Sequence, residues 1–123
     1  MVIKDGHVTS QQTTVPTTTT STNAGTGATS SVSSATDVAG ILNLISGTGN
    51  FTAGIQVTVN FNKVYSVAPI VSLTEANANA SANKVSQQIF ISSTTSGFSV
   101  QFGVAQTVAS QPYIWHYNVI ETQ

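Results

Sequence analysis

The stretch GIQVTVNF, residues 54–61, decides the fold. Ile55, Val57, Val59 and Phe61 alternate with Gln56, Thr58 and Asn60. A period of two predicts a strand with one apolar and one polar face, as in an antiparallel sheet covered on one side. The pattern recurs twice further along the chain. In GFSVQFGV (97–104), Phe98, Val100, Phe102 and Val104 share a face. In YIWHYNVIE (113–121), which follows Pro112, Tyr113, Trp115, Tyr117 and Val119 oppose Ile114, His116, Asn118 and Ile120. VSQQIFISS (85–93) joins the 97–104 strand through TTS, and the Ser96-Gly97 pair predicts a tight hairpin. VAGILNLIS (38–46) and APIVSLT (68–74) complete the set, with Pro69 at a strand start where a missing N–H is tolerated. EANANASAN (75–83) is expected to be a polar loop, because its Asn and Ser residues oppose the helix tendency of Ala. The expectation is an all-β domain, a six-stranded antiparallel β-sandwich or small barrel.

Working outward, the material for a core thins abruptly. All nine aromatic residues lie after residue 50. Residues 9–36 contain 17 Ser or Thr and no periodic apolar pattern. This division predicts an extended or disordered N-terminal arm over residues 1–36 and a β-sandwich domain over residues 37–123. Thr-rich backbone favours extension, so the arm is also suited to ordering on a neighbouring subunit. A compact domain this small is marginal on its own. With no cysteine and two distant histidines, neither disulfides nor metal can brace it, which leaves oligomerisation or docking on a partner.

Charge is scarce. The charged residues are Lys4, Asp5, Asp37, Lys63, Glu75, Lys84 and Glu121, 6% of the chain, against about 25% in ordinary soluble proteins. Nucleic acid and anionic membrane both require many cations, so neither is expected as a partner. No apolar run is long enough for a membrane helix. Catalytic groups are equally sparse. The only histidines are His7 and His116, no Gly-x-Ser-x-Gly elbow is present, and no cluster has metal-ligand spacing. The expectation is a non-enzymatic chain with no cofactor, no metal and no catalytic residue. Trp115 shares its face with Tyr113 and Tyr117 and reads first as core, with sugar stacking as its functional alternative. Tyr113, Trp115 and His116 are the candidates for a ligand or interface contact.

The order VTVNFNKVYSVAPIVSLT, a polar loop, QQIFISSTTSGFSVQF and YIWHYNVI resembles the C-terminal β-module of small structural proteins and fibre tips of tailed bacteriophages. It is also similar to the six-stranded sandwich of the H-type lectins, although the Arg and Asp with which those lectins hold sugar have no counterpart here. The first resemblance implies a capsid cement or decoration protein on the outer surface of the virion. Such a protein would bind the major capsid protein and form a homo-oligomer, a trimer or dimer. Val2, Ile3, Val8 and Val15 of the arm would make the capsid contact. The second resemblance implies a receptor-binding, carbohydrate-binding module on a head or tail fibre.

Overall fold

The computed structural model describes residues 2–122, with the side chains of Val2, Lys4 and Val8 outside the described set. Two short strands, β1 (Val2–Lys4) and β2 (His7–Thr9), pair with each other. The chain then supplies β3 (Thr17–Thr20), β4 (Thr29–Ser33), β5 (Ala39–Ile45), β6 (Gly54–Asn60) and β7 (Ile70–Glu75). A helix, α1 (Ala78–Ser86), precedes β8 (Ile89–Thr94), β9 (Gly97–Phe102) and β10 (Pro112–Ile120). The eight strands β3 to β10 distribute between two antiparallel sheets of four, ordered β4-β5-β10-β7 and β3-β6-β9-β8. Neither sheet closes on itself, so the architecture is a sandwich of eight strands rather than six.

The two added strands come from residues 17–33, inside the stretch whose composition suggests an arm. These segments need no large apolar side chain because each is an edge strand lying on a neighbour that has them. Thr18 and Thr20 stand opposite Val59 and Val57, and Ser30 and Val32 stand opposite Leu44 and Leu42. Facing one another between the sheets, the small polar groups bond directly: Ser30 Oγ donates to Thr18 Oγ1 at 2.9 Å and shares a 2.6 Å hydrogen bond with Thr20 Oγ1. A β-branched hydroxyl residue thus extends the backbone and satisfies its own polar atom at the seam.

The core lies where the alternation places it. Leu42, Leu44, Val57, Val59, Phe98, Val100, Phe102, Tyr113, Trp115 and Tyr117 are each at most 1% exposed. Tyr113 and Trp115 stack with ring planes 5° apart, and Phe102 meets Tyr113 edge-on at 5.5 Å. Gly40 sits opposite Tyr117 in the register. A Cβ there would lie 2.6 Å from the Tyr117 hydroxyl, so only glycine fits.

Two local departures from the alternation have clear causes. A bulge between Ile55 and Val57 turns Ile55 out to 40% exposure and buries Gln56 completely, reversing their expected faces. Val104 is exposed because β9 ends at Phe102. The segment expected as a loop at 75–83 is largely helix: the Asn77 side chain caps it by accepting from the Ala80 N–H at 2.8 Å. Asn is unfavourable within a helix but among the best residues at its start, and Ala78, Ala80 and Ala82 supply the following turns. Ala80 is fully buried, and α1 packs against β10.

Candidate functional site

The end of the sandwich where β3, β5, β7 and β9 begin gathers three charged residues, Asp37, Lys63 and Glu121. Its centre is Asp37, 5% exposed, in the turn between β4 and β5. Asp37 Oδ1 accepts from the Asn62 N–H at 2.8 Å and Oδ2 from the Lys63 N–H at 2.9 Å. Its own N–H donates to Gln12 Oε1 at 2.8 Å, and its carbonyl accepts from the Tyr65 hydroxyl at 3.3 Å. One buried residue therefore ties the β4–β5 turn to the β6–β7 loop through its carboxylate and to the segment leading into β3 through its backbone N–H. Both of its oxygens are occupied by backbone donors, which suits a structural clamp.

Beside this clamp is a cleft of about 390 Å³ lined by Asp37, Lys63, Val64, Tyr65, Ser66 and Glu121. Glu121 Oε1 accepts from Ser66 Oγ at 2.9 Å and from the Ser66 N–H at 3.4 Å. The Tyr65 hydroxyl titrates above its ordinary value, first through burial and then through the negative charges of Asp37 and Glu121, so it remains a phenol and a donor. Lys63 makes no ion pair among the described residues, where the only salt bridge joins Glu75 to Lys84 at 3.0 Å, at the opposite end. The cleft can offer a carboxylate, an ammonium, a hydroxyl and an aromatic edge to a small polar group. Among the described residues no group of three or more His, Asp or Glu comes together.

The β1–β2 hairpin leads into the same end. Asp5 and Gly6 form its turn with φ of 51° and 81°, and Ile3 stands opposite Val8. Two successive positive φ values define the turn whose twist matches a hairpin, and Asp-Gly is among the pairs that adopt it readily. Among the described residues the hairpin makes no more than marginal contact with any other element. Ile3 is 78% exposed, and Val15, on the connecting segment, is 57% exposed.

The residues singled out in the sequence are therefore dispersed. Tyr113 and Trp115 lie inside the sandwich, while His116 is exposed on the outer face of its sheet, opposite Ile41 and Thr74. These three do not form one surface. Ile3 and Val15 are exposed on the N-terminal segment, and the side chains of Val2 and Val8 lie outside the described residues. The Asp37 clamp and the hairpin are absent from the sequence reading. Asp5-Gly6 between VIK and HVT is a hairpin signal that was available there, whereas the pairing of Asp37 with residues 62 and 63 carries no local signal. Comparison with protein-family models, with curated proteins and with solved structures finds no match.

Proposed function

We propose that this chain is a non-catalytic structural protein of a virus particle, a cement or decoration protein that binds the major capsid protein on the outer surface of a phage head. The observation that carries this reading is the β1–β2 hairpin. A two-stranded hairpin is marginal in water by itself, and this one exposes Ile3 and, among the described residues, makes no more than marginal contact with any other strand or helix. It is held to the sandwich by residues 10–16, which Gln12 fastens to Asp37. Such an element gains most of its stability from another surface. The scarcity of charge agrees with tight packing of many copies, where like charges would repel.

The test is the composition of gradient-purified particles of the virus that encodes the chain. A fixed copy number relative to the major capsid protein, with the chain accessible to external protease, is expected. Absence from the particles contradicts the reading.

A second reading, a carbohydrate-binding fibre module, is favoured by the cleft alone, since Glu121, Lys63 and Tyr65 are groups that hold hydroxyls. A glycan array probed with the purified chain separates the two. Specific binding that is lost in Glu121→Gln supports the second reading, and a blank array removes it.

A further inference from the structure

We infer that β8 is a self-association edge, through which two copies pair antiparallel about a twofold axis and join their β3-β6-β9-β8 sheets into one. This goes beyond the proposed function and does not depend on it.

Each sheet of the sandwich has two lateral edges, and the four edge strands differ in how they are covered. β3 and β4 face one another and are bonded through Thr18, Thr20 and Ser30. β7 starts immediately after Pro69 and ends at Glu75, which is paired with Lys84. β8 has none of these protections. Its six residues, IFISST, carry no charge and no proline, and its pairing with β9 runs from Ile89↔Phe102 to Thr94↔Gly97 without a bulge. It is tied across the seam at one end, where Ser93 Oγ donates to the carbonyl of Pro69, just before β7, at 2.7 Å. Natural sheets interrupt such an edge with lysine, proline or a bulge, because a regular row of unpaired N–H and C=O groups is a template for another strand.

The strand is also complementary to itself. An antiparallel pairing centred on Ser92 places Phe90 opposite the second copy's Thr94, and Ile91 opposite its Ser93. Directly opposed residues share a face, so core-facing Ile91 stays on the core side and exposed Phe90 stays on the outer side. The outer face that this pairing would continue presents Thr17, Thr19, Thr58, Asn60, Ser92, Thr94, Ser99 and Gln101. None of these is charged, so no repulsion opposes the second copy. An isologous contact of this kind closes at two subunits.

Since the chain has no cysteine, a single introduced thiol reports the contact cleanly. In the full-length protein, Ser92→Cys puts two thiols directly opposite, within reach of a disulfide. Ser31→Cys, exposed at the centre of β4 on another edge, serves as the control. Under mild oxidation S92C is expected to give a covalent dimer much faster than S31C. The wild-type chain is expected to sediment as a concentration-dependent dimer. Ser92→Lys, which opposes two like charges at the axis, should weaken that dimer about tenfold or more while leaving the circular dichroism spectrum unchanged. A wild-type chain that stays monomeric at every concentration reached, or equal crosslinking of the two cysteine variants, overturns the inference.

Discussion

The Tyr117 hydroxyl donates to the Thr36 carbonyl at 2.7 Å, binding the closing strand of the sandwich to the turn that follows β4. The adjacent residue, Asp37, carries this link to the β6–β7 loop through Asn62 and Lys63. Removing either partner leaves part-buried backbone groups without a bond. Tyr117→Phe should cost about 1–3 kcal/mol, and Asp37→Ala at least as much, because the Asn62 and Lys63 backbone N–H groups both lose their acceptor. Urea unfolding of the two variants checks both. A loss below 0.5 kcal/mol in each, on the order of an ordinary surface substitution, would contradict the assigned role.

Alkaline pH should act through the same tyrosines. Burial pushes the Tyr113 hydroxyl up to about 12 from its ordinary 10.0. Tyr117 is displaced in the same direction, first by burial and then by the Asp37 charge. A group whose pKa is raised by folding keeps its proton in the native chain while the unfolded chain loses it. Stability is therefore complete below the ordinary tyrosine value, falls as pH rises above about 10, and its Tyr113 contribution is spent near 12. The urea midpoint should hold steady from neutral pH to about 9.5 and then decline. Tyrosinate absorbance should show late ionisation that coincides with unfolding. A midpoint independent of pH up to 11.5, about the top of this window, would refute the burial argument.

The Ser/Thr-rich leader divides into two parts with opposite consequences. Removing residues 1–36 takes away β3 and β4 and exposes the inner faces of β5 and β6, so the remainder should fail to fold cooperatively. Removing residues 1–9 leaves both sheets complete and should leave the unfolding midpoint nearly unchanged. Limited proteolysis should cut first within residues 10–16. A more local version is Ser30→Ala, which deletes the hydroxyl shared with Thr18 and Thr20 and should cost about 1 kcal/mol.

At the opposite end, Asn77→Ala removes the acceptor for the Ala80 N–H and the donor to the Pro112 carbonyl. The expected loss is about 1 kcal/mol, the usual value for a helix cap. Asn77→Asp retains the capping oxygen and should recover most of it. Equal losses in the two variants would assign the effect to the Pro112 contact instead.

What could be read from the sequence was the part governed by local periodicity. Val57, Val59, Phe98, Phe102, Tyr113, Trp115 and Tyr117 each carry their facing in the residues two positions away. The edge strands escaped because their burial is borrowed. Nothing in TTTT or TSSVS indicates that Val57, Val59, Leu42 and Leu44 lie beside them. The helix is hard to read because Asn opposes a helix in its interior and favours one at its start, and only the structure puts Asn77 at the cap. The burial of Gln56 is not legible because a bulge changes the parity of a strand without marking the sequence. The charged end was hidden for a similar reason: Asp37, Lys63 and Glu121 are separated along the chain and meet only when the two sheets stack.

The measurement that bears most directly on the account is the rebinding of residues 10–123 to particles stripped of the chain, compared with residues 1–123. The truncated protein should remain folded and lose most of its particle binding, since it retains both sheets and lacks only the β1–β2 hairpin. Undiminished rebinding by the truncated chain would contradict the anchoring role of that hairpin.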